Sequence, residues 1–138
     1  MDPRISFITL AVRDLDASRR FYVDGLGWTP DLEVDGDVIM IRAGERLVFS
    51  LWVRDHFEAE VGPIADGTGV APFTLSHNVA TRAEVDAILA TARAAGADPV
   101  QAPAEREWGG YTGYFGDPDG YRWEVATNPG PIGEVVLP

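Results

Sequence analysis

The same order of secondary-structure elements occurs twice along this chain of 138 residues. Each half reads as a strand, a helix and three further strands, and the repeat spans about 65–70 residues. Alternation of apolar residues predicts the first strand over residues 5–12, with Ile8, Leu10 and Val12 on one face. One helix can cover one face of each sheet, which predicts an α+β fold built from two βαβββ modules.

The first module is predicted over about residues 5–54, within a single domain of residues 1–138. Its helix follows the first strand, with Asp16 as the N-cap. The other strands of this module are predicted at residues 32–34, 38–42 and 47–53. A linker over residues 55–71 contains a short helix at its start and a stretch rich in glycine after it.

The second module is predicted over about residues 72–128, followed by a C-terminal tail over 129–138. Thr81 and Glu84 have the spacing of a capping box at the start of a helix, and Gly96 ends that helix. The strands of this module are predicted at residues 73–79, 100–101, 110–115 and 121–126.

The last two strands flank the sequence Asp-Pro-Asp-Gly at residues 117–120. Proline in the second position and glycine in the fourth suit a tight type I turn, which predicts a hairpin. Glu124 lies inside the second strand, where a carboxylate is costly unless it meets water, a partner or a metal. Three roles for Glu124 follow: a metal ligand, a ligand-binding or proton-accepting carboxylate, or the partner of an arginine on a neighbouring strand.

Two histidines are the other titratable candidates. Strict alternation places His77 on the helix side of its strand, as a partly buried residue bonded to the backbone. A β-bulge would instead turn His77 into the pocket beside Glu124. His56 is predicted to be a solvated residue of the short helix.

Aromatic and polar residues near the hairpin are candidates for ligand binding. Trp108 and Tyr111 flank two glycines whose bare backbone leaves room for a ligand, so they are predicted to form a pocket wall. Asn78 and Arg122 are further candidates for the same pocket. The alternative is that these large aromatic side chains belong to the core.

The net charge restricts the kinds of molecule that the chain is expected to bind. The formal net charge is −11 and every basic residue is an arginine, which disfavours nucleic acid and anionic membranes as partners. A cationic or aromatic small organic ligand is favoured. The absence of cysteine excludes disulfides and thiolate metal sites. No secretory or membrane-spanning pattern is recognisable, so we expect a cytoplasmic protein.

The chain resembles the vicinal oxygen chelate superfamily, which includes glyoxalase I, bleomycin-resistance proteins and extradiol dioxygenases. The resemblance covers about residues 5–128, and the residues that carry it are Ile8 through Leu15, Ser18, Phe21, Tyr22, Leu26, Gly27, Trp28, Phe115 through Gly120, and Glu124. It implies paired βαβββ modules that form a cup-shaped, eight-stranded mixed sheet with the helices on its outer face. It also implies a homodimer.

Metal-dependent members of this superfamily take ligands from matching strands of both modules. The resemblance places Glu124 at one such position, and Phe7, Ser50 and Thr74 at the others. A phenyl ring cannot coordinate a metal cation, and hydroxyl groups are poor ligands for a divalent ion. We therefore expect no metal cofactor, and Phe7, Ser50 and Thr74 become candidates for ligand binding. A divalent metal held by Glu124 and His77 is the alternative.

Two functions follow for this chain. The first is a metal-independent protein that binds a small organic molecule, as antibiotic-sequestering members of the superfamily do. The second is a glyoxalase-like lyase or isomerase, in which Glu124 acts as a general base or a metal ligand.

Overall fold

The computed structural model describes residues 1–65 and 67–137 and confirms the α+β fold with two βαβββ modules. The chain divides into two compact units, Met1–Thr68 and Gly69–Pro138. Each unit contains a four-stranded mixed sheet of its own. Within the described residues, no helix combines the length and the apolar character needed to cross a membrane.

The first unit follows the predicted order of elements. It contains β1 (Phe7–Val12), α1 (Leu15–Arg19), a π-helical segment (Arg20–Gly25), β2 (Leu32–Val34), β3 (Val38–Arg42), β4 (Val48–Val53) and α2 (Arg54–Val61). The strand order is β1-β4-β3-β2, and β1 runs parallel to β4. The π-helical segment directly continues α1.

The helix α1 is capped by Asp14, so the prediction that Asp16 is its N-cap is wrong. The Asp14 carboxylate accepts a hydrogen bond of 2.9 Å from the backbone N–H of Ala17. Asp14 has an extended backbone with φ of −137°, whereas Asp16 already lies in the first turn of α1. An N-cap residue must have a non-helical backbone, and only Asp14 meets that condition.

One face of the first sheet packs against the helical residues. The ring centroids of Tyr22 and Phe49 are 5.2 Å apart. Leu10 and Val12 are buried, which confirms the face predicted from the alternation. Because side chains alternate along a strand, Ser50 points to the opposite side of the sheet from Phe49.

The second unit repeats this arrangement. It contains β5 (Leu75–Asn78), α3 (Arg82–Ala94), β6 (Val100–Glu105), β7 (Tyr111–Gly116), β8 (Arg122–Thr127) and α4 (Pro131–Val136). The strand order is β5-β8-β7-β6, with β5 parallel to β8. The capping box of Thr81 and Glu84 is present at the start of α3, as predicted. The helix α4 lies in the stretch that the sequence predicts as a tail.

Asp117, which is only 4% exposed, fixes the hairpin between β7 and β8. Its Oδ1 atom accepts hydrogen bonds from the backbone N–H groups of Asp119, at 3.0 Å, and Tyr121, at 2.9 Å. The backbone N–H of Gly120 donates to the Asp117 carbonyl, which closes the predicted turn. This turn sets Tyr114 directly opposite Glu124 on the neighbouring strand.

Candidate functional site

Glu124 is held by two hydroxyl groups on the strands to either side of it. Tyr114 on β7 donates to Oε1 over 2.8 Å, and Ser76 on β5 donates to Oε2 over 3.0 Å. Among the described residues, the carboxylate has no arginine partner, so the ion-pair role considered from the sequence does not apply. A carboxylate has about four acceptor positions, so it can accept further hydrogen bonds while both of these remain.

The strand register defines the surface on which this group lies. Ser76, Glu124 and Tyr114 are aligned across β5, β8 and β7, so their side chains point to one side of the sheet. Thr112 and Arg122 lie two residues along on the same side. We call this surface the Glu124 face, and its members are Ser76, Asn78, Thr112, Tyr114, Arg122 and Glu124. The helix α3 covers the other side, where Leu89 approaches Gly113.

Tyr114 is a hydroxyl donor over the whole neutral range of pH. Its hydrogen bond to Glu124, followed by partial burial, raises the pKa of Tyr114 above the ordinary value of 10.0. A tyrosinate would lose this bond and place a second negative charge beside the carboxylate. The site therefore presents a carboxylate and a protonated phenol in direct contact.

Arg106 brings a positive charge to the same surface. It lies in the loop between β6 and β7, and its Nε atom donates to the Thr112 hydroxyl over 2.6 Å. Its guanidinium carbon is 5.9 Å from the centre of the Tyr114 ring, within the range of a cation–π contact. Tyr114 thus contacts the cation with its ring and the anion Glu124 with its hydroxyl.

Two residues predicted for ligand binding lie on the Glu124 face. Asn78 ends β5, opposite Ala126 and two residues from Ser76, and is half-buried. Arg122 begins β8, and its Nη1 atom donates to the carbonyl of Gly120 over 3.2 Å. The structure therefore brings Asn78, Arg122 and Glu124 to one surface.

Trp108 and Tyr111 do not line a common cleft on the Glu124 face. Tyr111 is two residues from Gly113 on β7, so its side chain points to the same side of the sheet, toward α3. There its hydroxyl donates to Asp86 over 2.9 Å. This bond raises the pKa of Tyr111 above 10.0. Trp108 is 53% exposed, and its ring lies against the backbone of Gly110, where a Cβ atom would clash with it.

His77 lies on the α3 side of its strand, as strict alternation predicts, and it does not approach Glu124. It pairs with Val125 in an unbroken register, so it lies on the α3 side of β5 without a bulge. Its side chain is exposed, so the prediction that it is partly buried is wrong. No group of three or more histidine, cysteine or acidic side chains close enough for a metal ion occurs within residues 1–65 and 67–137.

The donor set does not fit the catalytic metal of the superfamily. In the first unit, Phe7 is 54% exposed and Ser50 is 3% exposed, both on the side of the sheet opposite Phe49. Thr74 directly precedes β5 and is exposed. Three protein ligands from histidine and carboxylate side chains are the usual minimum, and only Glu124 among these positions supplies one.

The first unit also contains a cavity of about 550 Å³ between the start of α1 and the hairpin of β2 and β3. Asp14, Asp16 and Arg19 line one side, and Glu33 and Asp35 line the other. None of the residues predicted for the site lies in it. Its walls include the ion pair of Arg19 with Glu33, at 2.9 Å, which joins the helix to the hairpin.

His56 is exposed on α2, as predicted, and it also has a charged neighbour. Its Nδ1 atom lies 2.7 Å from Oδ1 of Asp37, which also accepts a 2.9 Å hydrogen bond from the indole N–H of Trp52. The bond to His56, followed by the bond to Trp52, lowers the pKa of Asp37 below its ordinary value of 3.8. This cluster ties α2 to the loop that precedes β3.

Sequence reasoning missed Tyr114 and Arg106 as members of the site. Tyr114 could have been predicted from the turn. If Gly116 pairs with Arg122, the residues two positions further along each strand, Tyr114 and Glu124, must also pair. Arg106 has no such signal. Its position depends on the loop, where its backbone N–H donates to the Gly110 carbonyl and its own carbonyl accepts from Gly109.

Comparisons with known proteins agree with the fold described above. The profile of the Glyoxalase/Bleomycin resistance protein/Dioxygenase superfamily matches residues 4–125. A glyoxalase-related enzyme from Fulvimarina pelagi is 33% identical, with a TM-score of 0.82 over 92% of this chain and 89% of that chain. A lactoylglutathione lyase from Agrobacterium tumefaciens is 25% identical, with a TM-score of 0.69 over 92% and 95% of the two chains.

A third similar structure is a glyoxalase/bleomycin resistance protein/dioxygenase from Nocardioides. It is 25% identical, with a TM-score of 0.76 over 96% of this chain and 91% of that chain. Among curated proteins, none matches the chain. The likeness extends over nearly the full length of the solved structures and includes both modules.

Proposed function

Since the chain belongs to the glyoxalase/bleomycin resistance protein/dioxygenase superfamily, we propose that it binds a small organic molecule on the Glu124 face without a metal ion. The hydrogen-bonded set of Ser76, Glu124 and Tyr114 carries this proposal. Two neutral donors orient a carboxylate that retains capacity for further donors from a ligand. A hydroxyl, an amide or a cationic ammonium group is the natural partner of such a carboxylate.

Metal independence is supported by the chemistry of the side chains. The resemblance places Phe7, Ser50 and Thr74 at the positions where metal-dependent members provide ligands, and none of these side chains is a good one. His77 lies on the opposite side of the sheet from Glu124. Ser76 and Tyr114 are neutral hydroxyl groups, which serve a carboxylate as donors and a divalent cation only weakly. The anion Glu124 is thus stabilised by hydrogen bonds and does not require a cation.

Metal binding is tested by equilibrium dialysis of the full chain against manganese, iron, cobalt, nickel and zinc, followed by elemental analysis. We expect retention well below one ion per chain. One ion per chain that is lost in Glu124→Gln but kept in Glu105→Gln would contradict the proposal. Glu105 is a suitable control because the same charge is removed at an exposed position, where its partner is Arg82.

Ligand binding is tested by amide NMR of the isotope-labelled protein against a library of small organic fragments. We expect ligands to shift the resonances of Ser76, Tyr114 and Glu124 together, and Glu124→Gln to weaken their binding by about tenfold, the value of one charge-assisted hydrogen bond. Fragments that bind only elsewhere on the protein would count against a ligand site on this face.

A lyase or isomerase is the second candidate function, and the contact of Glu124 with Tyr114 favours it. A carboxylate can remove a proton beside a carbonyl group, and a phenol held in its protonated form can donate to the oxyanion that develops. The similarity to a lactoylglutathione lyase gives this candidate further support.

The two candidates differ in what Glu124→Gln changes. For an enzyme, we expect the wild-type protein to exchange the α-hydrogens of small 2-oxo compounds in D₂O, and the variant to lose this exchange while still binding them. For a binding protein, we expect no exchange above the rate without protein, and weaker binding in the variant. NMR of the 2-oxo compound gives both results in one experiment.

A further inference from the structure

Arg106 is held over the Glu124 face by more than one contact. Besides the bond from Nε, its Nη2 atom lies 3.4 Å from the Thr112 carbonyl oxygen. Thr112 is fully buried, and the loop that carries Arg106 is closed by two backbone hydrogen bonds with Gly109 and Gly110, each of 2.8 Å. Both ends of this side chain are therefore fixed, which lowers the entropic cost of using it to bind a ligand.

The positive and negative groups of this surface are separated by one aromatic ring. The guanidinium lies 5.9 Å from the centre of the Tyr114 ring, and the hydroxyl of that ring is bonded to Glu124. Within residues 1–65 and 67–137, Arg106 and Glu124 form no ion pair with each other. Nη1 of Arg106 has no partner among the described residues, so this atom can donate to a ligand. Glu124 accepts two hydrogen bonds and has about four acceptor positions, so it can accept more.

A face with two opposite charges held apart is complementary to a ligand that carries both. We propose that the ligand of the Glu124 face is a small carboxylic acid with a hydroxyl or ammonium group, whose carboxylate is bound by Arg106 and whose donor is bound by Glu124. This inference rests on the proposed function, because it names the class of ligand for the same surface. Arginine suits this role because its planar group can pair with both oxygens of a carboxylate.

Three probes of matched length test the inference: 4-aminobutyrate, which carries both groups, butyrate, which carries the anion, and butylamine, which carries the cation. Each is titrated into the isotope-labelled full chain, and dissociation constants are taken from the shifts of Tyr114 and Glu124. We expect 4-aminobutyrate to bind about tenfold more tightly than either of the other two, since each loses one charge-assisted hydrogen bond.

The variants assign each group to its partner. In Arg106→Gln, we expect the advantage of 4-aminobutyrate over butylamine to disappear, and in Glu124→Gln, its advantage over butyrate. Arg106→Lys retains the charge and should restore part of the lost affinity, which a merely structural role for the loop would not predict. Arg93→Gln, at an exposed position in the last turn of α3, removes the same charge and should change nothing.

The outcomes separate this inference from the proposed function. If butylamine or butyrate shifts the Glu124 face as strongly as 4-aminobutyrate, the inference is overturned and ligand binding on the face stands. If 4-aminobutyrate binds best but Arg106→Gln leaves all three constants unchanged, the role of Arg106 is overturned. If none of the three probes, and no fragment of the library, shifts the face, both proposals fail.

Discussion

Tyr114 donates its phenolic hydrogen to Glu124 across a directly opposed pair of antiparallel strands, at a distance of 2.8 Å. The register of the hairpin therefore determines which side chain is hydrogen-bonded to Glu124. Because the two residues are fixed by the backbone register, the bond forms without any contribution from a loop. The carboxylate and the phenol therefore have to be considered as one hydrogen-bonded unit, in which the phenol supplies the hydrogen.

Glu124→Gln is expected to lower the pKa of Tyr114 toward the ordinary value. The negative charge and its hydrogen bond favour the protonated phenol, and a neutral amide provides neither effect to the same degree. Titration of the tyrosine ring carbons by NMR between pH 8 and 12 measures the change. The control is Asp86→Asn, which should lower the pKa of Tyr111 and leave that of Tyr114 unchanged.

The same shift predicts the alkaline limit of stability. Tyr114 binds its proton more tightly in the folded protein than in the unfolded chain, so its contribution is fully present below pH 10. As the pH rises above 10, the unfolded chain loses the proton first and the free energy of unfolding falls. We expect Tyr114→Phe to show a smaller decrease over this range in urea denaturation. An equal decrease in both proteins would contradict the assignment.

Gly116→Ala is expected to destabilise the protein by about 1–3 kcal/mol, as overpacking does. A Cβ atom at this position would lie 2.5 Å from the Asp98 carbonyl oxygen and would also meet Nη1 of Arg122. The carbonyl belongs to the backbone and cannot easily move away. Urea denaturation with an unchanged slope measures the effect. Gly67→Ala is the matched control, because a Cβ atom there meets nothing within 4 Å.

Thr81→Ala is expected to cost about 1 kcal/mol, the usual value for the loss of an N-cap. The Thr81 hydroxyl accepts from the backbone N–H of Glu84 at 3.3 Å, and the Glu84 carboxylate accepts from the backbone N–H of Thr81 at 2.8 Å. Thermal and urea unfolding give the value. Thr91→Ala, on the exposed surface of the same helix, serves for comparison and should be neutral or slightly stabilising.

Asp37→Asn is expected to matter at neutral pH and not in acid. The carboxylate is favoured in the folded protein by His56 and Trp52, so its contribution is present above pH 3.8 and is lost as the pH falls through its lower folded value. The difference in free energy of unfolding between wild type and variant should therefore shrink below pH 3.8. The indole N–H resonance of Trp52 reports the bond directly. Asp35→Asn, an exposed neighbour, should show no such pH dependence.

Most of the fold could be predicted because it follows from local patterns. The alternation in β1 fixes which side is buried, and the spacing of Thr81 and Glu84 fixes the start of α3. The helix α4 was missed because it spans only six residues, begins with a proline and contains Gly133. So short a segment has too few positions for a helical periodicity to be recognised.

The site was predictable only in part, because its contacts join residues distant in sequence. Glu124 was evident as a carboxylate inside an apolar strand. The assignment of Tyr111 to the pocket wall depended on neighbouring glycines, but the strand alternation directs this side chain toward α3. Placing Arg106 requires knowledge of a loop conformation that hydrophobic patterns do not determine.

The turn at Asp117 has a consequence for how this protein can vary in length. Two hydrogen bonds that its buried carboxylate accepts from backbone N–H groups fix the number of residues between β7 and β8. Inserting a single residue between Asp117 and Arg122 would shift β8 by one position, and a shift of one position exchanges the two sides of a strand. The indole of Trp123 would then lie on the Glu124 face, and the carboxylate of Glu124 would be forced against the underside of α3. Insertions elsewhere can lengthen a loop, but an insertion here would replace the chemistry of the site.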